Sequence, residues 1–275
     1  MSKWVKILEA AQTGMGWTDE ALAERSRASL HALKELKAGV LDSGTLRSVA
    51  SALRLGADAL LSLAREVDDG PVFSAPATLR GIETGSQRGY LFWDSISRLA
   101  ALIDIGNENR QVIELLEEEF LVPRYLFFTE SKEPLDPAWL RFLEGRSDQP
   151  ILPLHGNDGA VFSLGTLQVE SRMAAGCEGV SRSLYQVRGL DVPIAFIGRS
   201  LLPPPLAVDR PSPSLYEAWL EEVRRHIFTL SDETILCPSS GSLTTVGFEK
   251  AHNPFFPEFE HFSSFEDLTE ESRNP

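Results

Sequence analysis

A chain of 275 residues is long enough for one large domain or two smaller ones, and its 43% hydrophobic and 24% charged residues are an ordinary globular mixture. No apolar run approaches the roughly 20 residues of a membrane-spanning helix, so no membrane partner is expected. The net charge of −14 argues against general nucleic-acid affinity, because phosphates repel an acidic surface. Its distribution is uneven: residues 1–66 carry nine basic and eight acidic side chains, near +1, which leaves −15 for the rest. A near-neutral head on an acidic body implies two parts with different partners. Two widely spaced cysteines, Cys177 and Cys237, and a start without a secretory apolar core predict a reducing, cytoplasmic setting.

In chain order, residues 1–66 read as five short helices. Trp4, Ile7, Leu8 and Ala11 share one face at helical spacing. Thr18 starts a second helix, in which Leu22 points inward. Ser29 caps a third bearing Leu30, Leu33 and Leu36, and Gly39 stops it. Ser43 or Thr45 caps a fourth with Leu46, Val49, Ala50 and Leu53 as its stripe, and Gly56 precedes a fifth over Ala57–Arg65. The Asp68-Asp69-Gly70-Pro71 break places a linker at 67–78. Beyond it strands are predicted at Tyr90–Trp93, Leu99–Ile103, Tyr125–Thr129, Ala160–Leu164, Leu167–Ser171, Ser183–Val187, Ile194–Ile197 and, last, Thr234–Cys237. Helices are predicted at Asn109–Phe120 and Ser214–Thr229, and together these elements fit a layered α/β sandwich over 79–260. The tail beyond it, 261–275, is acidic. Phe255, Phe256, Phe259, Phe262 and Phe265 are spaced to pack on their own domain or to dock a second subunit.

The run from Thr18 to Ala64, with Leu22-Ala23-Glu24 and later Thr45-Leu46 followed by Val49-Ala50, resembles the repressor-type helix-turn-helix domain of the Cro and lambda-repressor group. The resemblance covers residues 3–66 and implies DNA binding, with the helix near 29–38 entering the major groove. Ser29, Leu30, His31 and Lys34 would then face bases, and Arg25, Arg27, Lys37 and Arg47 would reach phosphates. A homodimer is expected, because one head buries too little DNA for specific affinity. Three features depart from the pattern: Asp19 replaces a usual Gln, Glu35 lies on the reading helix, and the turn at Arg27-Ala28 lacks Gly. The bland alternative is a helical module that only contacts proteins.

Four stretches, 89–106, 125–136, 194–202 and 230–256, resemble the metallo-β-lactamase superfamily, in particular its glyoxalase II and persulfide dioxygenase branch. The last is the most specific, through Thr244, Thr245, Gly247, Glu249, Lys250, Asn253, Pro254 and Phe255. The resemblance implies an αββα sandwich. It also locates the family's metal ligands, and here those positions carry other residues. Glu130, Lys132, Pro134 and Leu135 stand where His, His, Asp and His belong, Cys177 and Ser240 stand for two further His, and Arg199 stands for the bridging Asp. A catalytic zinc takes about three protein ligands and an open position, so neither a metal cofactor nor metal-dependent hydrolysis is expected. Glu130, Lys132 and Arg199 either neutralise one another or, with Ser240 and Lys250, hold a small anionic or thiol ligand. Cys177 is either a redox sensor or a small filler. The resulting expectation is a transcriptional regulator without catalytic residues. The alternatives are an interaction scaffold, or a metal-free enzyme using Cys177 or the Lys132/Arg199 pair.

Overall fold

The computed structural model describes residues 2–65, 70–85, 87–131, 134–174, 182–204 and 212–262. They form two compact units. The first gathers Met1–Pro71, Leu202–Asp232 and Val246–Pro275, and the second gathers Val72–Leu201 and Glu233–Thr245. This partition differs from the linear one expected, in which 1–66 stands alone and 79–260 is one body. The segments after 201 that carry the helices belong with the head, because their aromatic faces are buried there.

In the first unit, five helices open the chain: α1 (Lys3–Gly14), α2 (Asp19–Ser26), α3 (Leu30–Lys37), α4 (Ser43–Ala52) and α5 (Ala57–Ala64). The predicted caps at Thr18 and Ser29 are present, accepting from Ala21 N and Ala32 N. Helix α4 is capped by Asp42, which accepts from Thr45 N at 2.7 Å, and not by Ser43 or Thr45 as expected. Asp42 already lies one residue outside the helix, where a short carboxylate reaches the third backbone N–H. Gly39, at φ 95°, stops α3. The turn after α2 has no glycine; Arg27 itself takes the left-handed conformation, φ 56°.

Two later helices complete this unit. Helix α8 (Pro213–Glu222) begins with proline at its first turn under a Ser212 cap, and continues as a π turn over Val223–Ile227, where a regular helix was expected to 229. Helix α9 (Val246–His252) is followed by a 3₁₀ turn over Pro257–Phe262. Trp219 and Phe228 close on Phe255 and Phe256 at centroid distances of 4.8–5.7 Å, so the phenylalanine-rich segment packs inside its own chain. The side chain of Phe262, and all of Phe265, lie outside the described residues.

The second unit is two stacked sheets. One runs β1-β2-β3-β4-β5 from β1 (Leu79–Thr84), β2 (Gln87–Trp93), β3 (Leu99–Ile103), β4 (Val122–Phe128) and β5 (Leu152–His155). The other runs β11-β10-β9-β8-β7-β6 from β6 (Val161–Leu164), β7 (Leu167–Ala174), β8 (Arg182–Arg188), β9 (Ile194–Gly198), β10 (Ile235–Pro238) and β11 (Thr244–Thr245). Strands β1, β5 and β11 were not anticipated, and the predicted last strand is followed by β11. Strand β2 pairs antiparallel with β3, whereas β3, β4 and β5 are mutually parallel, as are β9 and β10. Between the sheets lies an apolar layer that includes Tyr90, Phe92, Phe127, Tyr185, Phe196 and Cys237. Each fully buried large side chain in it stabilises the fold by about 2 kcal/mol. The outer face of the first sheet packs on α6 (Arg110–Glu118) and α7 (Pro137–Glu144), with Val112, Leu116, Trp139 and Leu143 facing in. Phe73, inside the expected linker, packs on the inter-sheet layer.

Parallel neighbours align their C-terminal ends. Asp104, Thr129, Arg199 and Ser239 therefore emerge just beyond β3, β4, β9 and β10, at one end of the sandwich.

Candidate functional site

Just beyond β3 stands Asp104, a left-handed residue (φ 55°) whose side chain is buried. Its Oδ1 accepts from Thr129 N and its Oδ2 from Thr129 Oγ1, both at 2.7 Å. This pair of hydrogen bonds fixes the end of β4 and so aims the next residue, Glu130. Glu130 makes an isolated antiparallel bridge to Arg182, and Ser183 N donates to Thr129 O at 2.8 Å, which laces the end of β4 to the start of β8. Gly198 sits against the same threonine at φ 52°. Any Cβ there would collide with Thr129 Oγ1, so glycine is required on two grounds.

Around Glu130 stand two guanidinium groups. Arg182 Nε lies 3.5 Å from Oε1 and Arg199 Nη1 lies 3.9 Å from Oε2, with the Glu130 and Arg182 side chains 14% and 8% exposed. These are ion-pair distances without hydrogen-bond geometry: Glu130 Oε1 and Arg182 Nε are both buried and unbonded. Beside them Ser239 N donates to Gly198 O at 2.8 Å, while the buried Ser239 hydroxyl has no hydrogen-bond partner. Among the described residues Glu130, Arg182 and Arg199 gather here beside the Asp104–Thr129 pair, and Glu130 Oε1, Arg182 Nε and Ser239 Oγ have no hydrogen-bond partner.

Of the residues predicted here from sequence, Glu130 and Arg199 are brought together. Ser240 is exposed, next to the buried Ser239. Lys250 belongs to the other unit, where its Nζ meets Asp232 Oδ1 at 2.6 Å and lies over the Phe259 ring at 5.9 Å. Lys132 and Cys177 lie outside the described residues. Cys237 is 1% exposed, and burial pushes its thiol well above the usual range. Arg182 was missed. Its only local signal is a basic residue opening a strand whose next three positions are all buried. Among the described residues no three His, Cys, Asp or Glu side chains gather as a metal site.

The opposite end of the sandwich holds a different carboxylate. Asp94, beyond β2, is 2% exposed and accepts from Ser97 N and Oγ and from Thr166 N and Oγ1 at 2.6–3.2 Å. Burial alone would raise its pKa, but these four donors hold it well below the ordinary carboxylate value.

On the helical head, Arg27, Ser29, Leu30, His31 and Lys34 are exposed around the start of α3, while Leu33 and Leu36 are buried. Arg25 lies over the Trp17 indole at 4.4 Å, and His31 reaches Glu35 at 3.5 Å. Lys37 is committed inward: its Nζ meets Asp19 Oδ1 at 2.8 Å and Gln12 Oε1 at 3.1 Å. That pair accounts for the unusual Asp19, and it withdraws Lys37 from the expected phosphate contacts. Arg47 pairs with Asp58 at 2.8 Å on an exposed surface.

The two-sheet unit with its flanking helices is a metallo-β-lactamase fold, an α/β sandwich joined to a helical region. Among solved structures it is similar to the BLEG-1 B3 metallo-beta-lactamase (18% identity, 65% of this chain and 99% of that one, TM-score 0.52). It is likewise similar to ETHE1 from Myxococcus xanthus (20% identity, 72% and 92%, TM-score 0.51). A metallo-beta-lactamase from Staphylococcus aureus subsp. aureus COL matches at 16% identity over 67% of this chain and 63% of that one, with a TM-score of 0.53. No family model and no curated protein matches the sequence. Among the described residues no helix is long and apolar enough to cross a membrane.

Proposed function

We propose that the chain is a DNA-binding transcriptional regulator in which a metallo-β-lactamase-type sandwich serves ligand sensing or self-association in place of metal-dependent hydrolysis. The observation that carries the DNA-binding reading is the presentation of α3. Ser29, Leu30, His31 and Lys34 stand in solvent with Arg27 on the preceding turn, while the same helix is anchored by Leu33 and Leu36. A helix held by one face and polar on the other is the form that enters a major groove. The Asp19–Lys37 pair supports it by removing one of the acidic groups that would oppose phosphates. Arg25, Arg27 and Arg47 remain for the backbone, and Arg47 would exchange its exposed Asp58 partner at small cost. A homodimer in the cytoplasm completes this reading.

The pseudoenzyme reading rests on the chemistry around Glu130. The fold family's metal position would have as its nearest described neighbours one carboxylate and two permanently protonated guanidinium groups. Asp104 is meanwhile tied to Thr129. Such a set does not fit a divalent cation, which it would repel, and it does fit a small anion. The likeness to metallo-beta-lactamase structures favours a second reading, an enzyme. In that reading the chemistry would be metal-free, working through Cys177 or the Lys132/Arg199 pair.

A mobility-shift assay with genomic fragments tests the first reading. Sequence-selective retention is expected at low salt, weakening steeply as salt rises, and Lys34→Glu should abolish it. Absence of selective retention by the intact protein at low salt would sink it.

A further inference from the structure

A cavity of about 570 Å³ lies inside the helical unit, between the end of α1, the α4–α5 turn, α8 and the segment after α9. That volume is in the range of small-molecule sites. Its walls are mostly apolar, with Met15, Trp17, Leu53, Leu220 and Phe255 contributing. Tyr216 is also part of the wall. The residue is 3% exposed, and its ring packs on Gly14, where a Cβ would come within 2.5 Å of it. Burial holds its pKa above the usual value, so near neutrality it stays a phenol able to donate or accept one hydrogen bond.

Two further features mark this place. Arg54, on the rim, is a left-handed non-glycine residue at φ 55°. The π turn begins on the cavity side of α8 and delivers Arg224 to Glu258 and Glu221, at 2.7 and 3.1 Å. Strained backbone and π turns gather at binding sites. The charges at the rim largely cancel: Arg224 is held by two glutamates, and Arg54 and Glu217 have opposite signs. Neither an anion nor a cation is selected.

We propose that this cavity is a binding site for a neutral, largely apolar ring compound carrying one hydrogen-bonding group, seated against Leu220 with that group on the Tyr216 hydroxyl. Occupancy fastens the first helices to α8. Trp17, in the wall, also carries Arg25 on its indole, which brings the site next to a side chain assigned above to phosphate. The binding test does not depend on that assignment.

The full-length protein is titrated with N-phenyl-1-naphthylamine, whose fluorescence rises in apolar surroundings and whose N–H can meet Tyr216. Saturable one-to-one binding is expected in the wild type, with at least a tenfold loss in Leu220→Trp, which fills the cavity. Tyr216→Phe should weaken this probe about threefold to tenfold and leave competition by 1-phenylnaphthalene, which has no N–H, unchanged. Should Leu220→Trp fail to fold, Met15→Trp fills the same space and decides. No saturable binding by the wild type, or unchanged affinity in a folded cavity-filling variant, overturns the proposal.

Discussion

Asp94 at one end of the sandwich and Glu130 at the other are two largely buried carboxylates held in different ways. Asp94 is met by four short hydrogen bonds from two loops, and it stays ionised because every lone-pair direction has a donor. Among the described residues Glu130 is met by two guanidinium groups at 3.5 and 3.9 Å, with one carboxylate oxygen and one guanidinium nitrogen buried and unbonded. Hydrogen-bonded completeness fixes a loop. Incomplete satisfaction leaves buried polar atoms that a further partner could complete. The fold supplies both, because the parallel strands send their C-terminal ends, and hence Glu130 and Arg199, to one side only.

The largest expected effect is at the satisfied end. Asp94→Ala leaves the Ser97 and Thr166 donors buried without acceptors and should cost about 3 kcal/mol, measured by urea unfolding. Because its pKa is depressed in the fold, the Asp94 contribution is fully present above the ordinary carboxylate range, near pH 4, and is lost only as the pH falls through the lower folded value. Glu130→Gln should cost less, about 1–2 kcal/mol, by leaving the buried Arg182 less well compensated. The same variant should be stabilised more by sulfate than the wild type, read as a larger rise in thermal midpoint. A cost equal to that of Asp94→Ala, with no added sulfate response, would break the contrast.

The smallest effect sharpens the comparison from the helical unit, where Asp19 combines both modes: a hydrogen bond from Gln12 and an ion pair with Lys37. These, in that order, lower its pKa. Asp19→Asn should cost about 1 kcal/mol at neutral pH, since the site is partly exposed. The difference from wild type should vanish as the pH falls through the depressed folded value, and a pH-independent difference would contradict the ion-pair account.

Local order was largely legible in the chain. Helical stripes and the Thr18, Ser29 and Gly39 punctuation gave the head, and short apolar runs gave most strands of the sandwich. The elements missed are short or interrupted: β1 contains Gly81, β5 is four residues around Pro153, and β11 is two residues. Helix α7 did carry a signal, Asp136 before Pro137, in a segment too brief to establish a period.

What the sequence determined by itself is therefore whatever depends on neighbours within about two helical turns: caps, periods, and the residue types standing at the family's ligand positions. Tertiary structure alone decided which distant groups meet. It brought Arg182 to Glu130, tied Asp104 to Thr129, spent Lys37 on Asp19 and Lys250 on Asp232, and folded residues 212–232 and 246–262 onto the head around Tyr216. Charge pairing and cavity formation depend on distance in space, and a one-dimensional pattern carries no record of that until the chain has closed.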